Sequence, residues 1–111
     1  MSTFNVLKTS VKCPNCENYY SAKIQFKYGD TWQYEYNLGD MIKWGGNDIG
    51  KPGTTSVKVY GILETDVCPI CGFINNHNEF DLLVKDDVII SVNDIENAND
   101  YKNENIDFKN I

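Results

Sequence analysis

The sequence predicts a mainly β protein, a small antiparallel sheet or open barrel held together by a four-cysteine metal site. Short runs in which apolar and polar residues alternate indicate strands with one buried face. Turns containing glycine or aspartate separate these runs, as hairpin connections do. Two closely spaced cysteine pairs flank much of the predicted sheet, and such pairs are typical of metal sites. A bound ion would stabilise a core of this small size.

The first part of the chain is predicted to form an extended segment, residues 1–12, and then a hairpin. Residues 20–28 alternate, and their apolar face consists of Ala22, Ile24, Phe26 and Tyr28. Residues 31–36 alternate again, and Gly29-Asp30 between the two runs is a turn signal. We therefore expect an antiparallel hairpin here, with Trp32, Tyr34 and Tyr36 on one face of its second strand.

The second part of the chain is predicted to contain one strand and a further hairpin. The strand runs from Ser56 to Leu63, after a glycine-rich loop at 45–56. Its apolar face holds Val57 and Val59, and its other face holds Lys58 and Tyr60. The hairpin consists of two alternating runs joined by Lys85-Asp86-Asp87. The register that puts both apolar faces on one side pairs Val84 with Val88 and Leu82 with Ile90.

The end of the chain differs in composition from the rest. Residues 93–111 hold five acidic residues, two lysines and six asparagines. We expect a zinc-binding β domain at 1–92 and an acidic, asparagine-rich tail at 93–111. The tail is expected to be disordered or to form a short helix, because Ile95, Ala98 and Tyr101 are spaced by three.

The charge of the chain argues against broad binding to nucleic acid or to a membrane. The 111 residues include 10 lysines, no arginine and 16 acidic residues, a formal net charge of −6. Both of those partners require cationic surface. The chain has no apolar run near the roughly 18 residues that cross a bilayer, and its N-terminus lacks a secretory pattern. A cytoplasmic protein is expected. The heavy use of Asn, Ile and Lys, with no Arg, is typical of an AT-rich bacterial genome.

The two cysteine pairs share one motif. They read Cys13-Pro14-Asn15-Cys16 and Cys68-Pro69-Ile70-Cys71-Gly72. The two-residue spacing lets both sulfurs of a tight turn face one ion, proline fixes φ in the turn, and glycine allows a left-handed closing residue. Four such thiolates suit tetrahedral zinc and, less readily, a single iron.

This pair of motifs resembles the knuckles of zinc-ribbon and rubredoxin-type proteins. The second motif matches the pattern C-P-x-C-G in full, whereas the first has Glu17 in place of the glycine. The resemblance covers the knuckles and implies the metal site. It does not imply an activity.

Other uses of the cysteines are less well supported by the sequence. A glutaredoxin-like thiol pair would need a helix after the motif, and neither pair precedes a helical pattern. Disulfides are uncommon inside cells. Four cysteines close a zinc tetrahedron and leave no position for water, so the site is expected to be structural. His77 could replace one cysteine, but four are already present.

Two further features of the sequence are candidate binding sites. The aromatic residues Trp32, Tyr34, Tyr36 and Trp44 could form a binding face for a partner, although an aromatic core is the simpler interpretation. The run from Gly45 to Lys51 approaches a phosphate-binding loop, but Pro52 replaces the hydroxyl residue that binds Mg²⁺. No nucleotide is therefore expected.

The sequence favours a non-catalytic, intracellular zinc-binding module that acts through protein–protein interaction, as an adaptor or an immunity-type inhibitor does. A basic partner would complement its acidic surface. One alternative is a nucleic-acid-associated zinc ribbon, which requires a local cluster of lysines. Another is a rubredoxin-like electron carrier, which requires iron.

Overall fold

The computed structural model describes residues 4–64, 67–75, 78–96, 101 and 107–111, and these form a mainly β fold, as predicted. The long strands are β1 (Asn5–Lys12), β2 (Tyr19–Phe26), β6 (Ser56–Leu63), β7 (Glu79–Lys85) and β8 (Val88–Asp94). The short strands are β3 (Gly29–Asp30), β4 (Glu35–Tyr36), β5 (Asp48–Ile49) and β9 (Phe108–Asn110).

The five long strands and β4 form one sheet in the order β4-β1-β2-β6-β7-β8, and β9 joins this sheet by pairing with β6. Every neighbouring pair is antiparallel except β1 and β4, which are parallel. The sheet curls, because the chain after β4 hydrogen-bonds to the start of β8 at the opposite edge. Met41 forms a bridge with Val88, and the N–H of Ile89 donates to the carbonyl of Asp40 at 3.0 Å. The result is an open half-barrel.

The concave face of the half-barrel holds the core. Alternate residues of the long strands meet there, including Ile24, Phe26, Val57, Val59, Leu82 and Val84, all nearly or fully buried. Gly61 on β6 leaves space for its neighbours, since a Cβ at this position would lie 2.6 Å from both Ile24 Cγ2 and Leu82 Cδ1. The predicted apolar faces of 20–28 and 56–63 are confirmed.

The hairpin predicted over residues 20–36 is wrong. β2 pairs with β1 over its whole length, and Gly29-Asp30 is a short strand that pairs with β5. Residues 31–34 are irregular, and Gln33 has a positive φ of 60°. Trp32, Tyr34 and Tyr36 therefore do not share one face, and Tyr36 pairs with Leu7 in the parallel β1–β4 contact.

One buried side chain explains why this segment is not a hairpin. Asn5 is fully buried, and its amide donates to the carbonyls of Tyr28 and Asp30, each at 3.1 Å. Its carbonyl oxygen accepts from the N–H of Trp32 at 3.3 Å and of Tyr34 at 3.1 Å. All the hydrogen-bonding capacity of the amide is used, and it satisfies backbone groups that a hairpin partner would otherwise satisfy.

The second predicted hairpin is confirmed, but its register is wrong. The turn contains only Asp86 and Asp87, whose φ angles of 50° and 66° indicate the type I′ turn that suits a two-residue loop. Val84 consequently pairs with Ile89. A bulge then shifts the register again, so that Leu82 pairs with Val92. Ile89 is fully buried, whereas Ile90 is 46% exposed.

The described residues after 92 extend the sheet, and one of them, Tyr101, covers its convex face. β8 continues to Asp94, so the predicted boundary at residue 92 falls inside a strand. Tyr101 is buried, donates to Asp81 Oδ1 at 2.6 Å and packs against the ring of Tyr60 at 5.2 Å. β9 then pairs with the first half of β6. Residues 97–100 and 102–106 of the predicted tail lie outside the described residues.

We predict that Asn5→Ala lowers the free energy of unfolding by about 2–5 kcal/mol, because it leaves several buried backbone groups without a partner. Urea denaturation of the metal-loaded protein measures the change. Asn37→Ala is the matched control, since Asn37 is exposed, and we expect it to change stability by less than about 0.5 kcal/mol. Equal stability of the two variants would contradict the role given to Asn5.

Candidate metal centre

The two cysteine motifs occupy corresponding connections at one end of the half-barrel. Cys13 follows directly on β1, and the motif ends shortly before β2 begins at Tyr19. The second motif lies between β6 and β7, where Val67 and Ile74 form an isolated antiparallel bridge. Because β2 and β6 are neighbours in the sheet, these two connections lie side by side.

The two knuckles have the same backbone hydrogen bonds. In the first, the N–H of Glu17 donates to the carbonyl of Cys13 at 2.9 Å, and in the second the N–H of Gly72 donates to the carbonyl of Cys68 at 2.8 Å. The closing residue is left-handed in both, with φ of 62° at Glu17 and 76° at Gly72. Glu17 therefore adopts the conformation that glycine has in the second knuckle, at a steric cost of about 1–2 kcal/mol.

The four sulfurs of Cys13, Cys16, Cys68 and Cys71 lie within 4.8 Å of one another. Two cross-knuckle distances are 3.7 Å, from Cys13 Sγ to Cys71 Sγ and from Cys16 Sγ to Cys68 Sγ. A tetrahedron with metal–sulfur bonds of about 2.3 Å has edges of about 3.8 Å. A disulfide needs about 2.0 Å, and all four cysteines are free. The arrangement fits one metal ion.

The site is continuous with the core on one side and open to solvent on the other. Cys13 and Cys68 are buried and belong to the core cluster, Cys16 is half-buried and Cys71 is exposed. An ion held here would tie two hairpin connections to the packed interior. His77, considered as an alternative ligand, lies outside the described residues.

Hydrogen bonds and burial separate the pKa values of two of the thiols in the absence of metal. The Asn15 side-chain amide, 3.6 Å from Cys71 Sγ, and the backbone N–H of Phe73 lower the pKa of Cys71 to about 6. The backbone N–H of Cys16 lowers the pKa of Cys13, but burial and the neighbouring thiols outweigh it and raise that pKa to about 11. Cys71 thus presents a thiolate at neutral pH, the form that binds metal.

The predicted aromatic binding residues lie apart from this site and in different environments. Trp32 is 63% exposed. Tyr36 is buried, and its hydroxyl accepts from the N–H of Lys43 at 3.0 Å. Tyr34 is half-buried, with Lys43 Nζ 4.5 Å from its ring centre, and Trp44 packs edge-on against Tyr28. A binding role for these four residues stays a prediction.

Comparison of the chain with protein-family models, with curated proteins and with solved structures finds no match. Among the described residues, no helix has the length and apolar character needed to cross a bilayer.

We predict that removing one buried ligand unfolds much of the protein. Cys68→Ser should abolish stoichiometric metal binding, and the thermal transition should be lost or lowered by more than 10 °C, roughly the effect of losing several kcal/mol in a chain of this size. Metal analysis and thermal denaturation monitored by circular dichroism measure both. Ser10→Ala, a change at an exposed strand position, is the control. Near-native stability of metal-free Cys68→Ser would contradict a structural role.

Proposed function

We propose that this chain is a non-catalytic, intracellular zinc-binding module that acts through contact with another protein, as an adaptor or an immunity-type inhibitor does. The observation that carries the proposal is a set of apolar side chains exposed on the metal-binding knuckle itself. The acidity of the chain and the chemistry of the four thiols support it further.

The choice of zinc rests on the ligand set. Four thiolates in a tetrahedron are the usual structural zinc site, and they leave no coordination position for a substrate or water. Unpaired cysteines are typical of a reducing compartment, which supports an intracellular location. The same four thiolates would also hold a single iron. Protein purified from iron-rich medium would then be red, as the electron-carrier alternative requires, whereas the proposal expects colourless protein with one zinc per chain.

The knuckle patch comprises Val67, Ile70, Phe73 and Ile74, which are between 38% and 58% exposed. They fall within eight successive residues of a segment that the metal would hold in place. Scattered exposed apolar residues are ordinary, but a contiguous group is typical of an interaction site. Metal binding would then position the patch as well as stabilise the core.

The charge of the molecule indicates the kind of partner. A net charge of −6 would speed association with a basic protein and disfavour acidic ones. An apolar patch on a chain of net negative charge supports a partner with an apolar contact region and cationic flanks. An inhibitor that covers the basic site of an enzyme would have these properties.

The test of this proposal compares two double variants. Ile70→Ser with Ile74→Ser removes much of the knuckle patch, whereas Met41→Ser with Ile111→Ser removes two equally exposed apolar side chains elsewhere. Each metal-loaded protein is crosslinked in native-host extract and its adducts are identified by mass spectrometry. We expect wild type and the Met41/Ile111 variant to yield the same protein adduct and the knuckle variant to lose it. Equal adducts from both variants, or none specific to wild type, would contradict the proposal.

A specific observation also supports the nucleic-acid alternative. Lys8 on β1 and Lys23 on β2 are directly opposite in the register. Lys12 lies four residues along β1 on the same face, opposite the 68% exposed Tyr19. This convex face combines cations with an aromatic ring that could stack on a base. Glu35 lies 3.4 Å from Lys8 Nζ and offsets part of the charge.

Fluorescently labelled single-stranded DNA and RNA test this alternative. It predicts binding at low salt that weakens as salt is added and that is lost in Lys8→Glu with Lys23→Glu. Lys51→Glu with Lys85→Glu changes two exposed lysines on other segments and should retain more binding. No binding by wild type at micromolar protein would remove the alternative.

A further inference from the structure

We propose that the gap between β1 and β8, at the knuckle end of the half-barrel, is a groove in which an extended segment of a partner protein adds a strand. We call this gap the seam; it is bounded by Ser10–Lys12 on β1 and by Val92–Asp94 on β8. The inference rests on the proposed function in that the partner is a protein. It adds the mode of binding, in which a segment of the partner pairs as a strand between β1 and β8.

The half-barrel is closed at one end and open at the other. Near the start of β1, β4 pairs with Val6 and Leu7, and the following turn reaches the start of β8. The N–H of Gly39 donates to the carbonyl of Ile89 at 2.7 Å. Past these residues, toward the knuckles, none of the described residues forms a ladder with the facing edges of β1 and β8. No strand among the described residues fills the gap there.

The backbone of β1 offers hydrogen-bonding groups to the seam. The N–H of Val6 donates away from β2, to the carbonyl of Tyr34, whereas the N–H of Cys13 donates toward the β2 side, to Asn18. Successive residues of an antiparallel strand direct their N–H and C=O groups toward opposite sides of the strand. The N–H and C=O groups of Ser10 and Lys12 therefore point into the seam.

The backbone of β8 also offers hydrogen-bonding groups to the seam, from the opposite edge. The N–H of Ile95 donates toward β7, to the carbonyl of Glu79 at 3.3 Å. By the same alternation, the N–H and C=O groups of Val92 and Asp94 point away from β7 and into the seam. A free strand edge is a ready template for pairing with another chain, and here two such edges face one gap.

The seam has the volume and the lining of a peptide site. It encloses a cavity of about 500 Å³ that both edges line. Val11 and Phe80 are each 7% exposed and Val92 is half-buried, so the floor is apolar. Strand addition uses main-chain hydrogen bonds for affinity and contacts of alternate side chains for selectivity. The strand edges offer the first, and the apolar floor offers a surface for the second.

Topology and charge define the segment that would fit. Four successive antiparallel pairings make β1 and β8 parallel, so one added strand can be antiparallel to both, the more stable arrangement. Its N-terminal end would then lie at the knuckles. Glu17 and Asp94 line that end of the cavity, against one lysine, Lys12. The partner segment is therefore extended and apolar at alternate positions, with a basic residue near its N-terminal end.

The experiment uses the full zinc-loaded chain and a short acetylated, amidated peptide that begins with arginine and continues with alternating valine and threonine. Amide hydrogen exchange is followed by NMR with and without the peptide. We expect exchange to slow by about tenfold or more at Ser10, Lys12, Val92 and Asp94, with little change at the knuckle patch. Absence of protection at these four amides, or protection confined to another surface, would overturn the proposal.

Two controls separate strand addition from other contacts. Ser10→Pro removes an N–H that faces the seam and leaves the β1–β2 ladder intact, since proline is tolerated at a free edge; it should weaken peptide binding by about tenfold. A peptide N-methylated at alternate residues should bind as weakly. Equal binding of wild type and Ser10→Pro would contradict strand addition. Protection that rises with protein concentration without peptide would assign the seam to a second copy and overturn the partner assignment.

The peptide experiment and the crosslinking experiment can fail separately, so failure of the seam proposal is distinguishable from failure of the proposed function. If the knuckle variant loses its protein adduct while the peptide protects none of the four amides, only the seam proposal fails. If the peptide protects all four while wild type forms no specific adduct, the seam binds extended chains but the proposed cellular function fails.

Discussion

Four thiols from two hairpin connections that are far apart in sequence meet at one end of the half-barrel. Cys13 and Cys16 connect β1 to β2, Cys68 and Cys71 connect β6 to β7, and their sulfurs lie within 4.8 Å of one another. A core formed by one curled sheet of this size is marginal on its own. Because ligands gathered by folding release their binding free energy as folding free energy, a metal ion here would stabilise both hairpins at once.

The position of the two knuckles also determines which surface features lie near the four thiols. The exposed apolar side chains of the second knuckle and the facing edges of β1 and β8 lie at the same end of the half-barrel as the four thiols, where a bound metal ion would hold the chain in place. At the opposite end, the turn after β4 closes the gap between those strands. An interaction surface beside the metal site would thus be held in place without a large core beneath it.

Side-chain faces could be predicted from the sequence because the period of a strand is local. The buried set Ala22, Ile24, Phe26 and the pair Val57 and Val59 follow from alternation alone. The strand pairings could not be predicted, because they depend on residues that are distant in sequence. Asn5 satisfies the backbone of residues 28–34, which no local pattern indicates, and a bulge at Ile90 exposes a side chain that alternation would bury. The four cysteines were predictable because each knuckle is a local motif. The seam could not be predicted from the sequence, because it is defined by which strands pair with the edges of β1 and β8.

We propose that all four thiolates bind one zinc ion in a tetrahedron, and X-ray absorption at the zinc edge of the purified protein measures this coordination. We expect four sulfur neighbours at about 2.3 Å and no lighter ligand. A shell that mixes sulfur with oxygen or nitrogen would contradict it, because one cysteine would then lie outside the site and the knuckles would not be closed on each other. A protein without zinc whose cysteines are joined at the disulfide distance would contradict it as well.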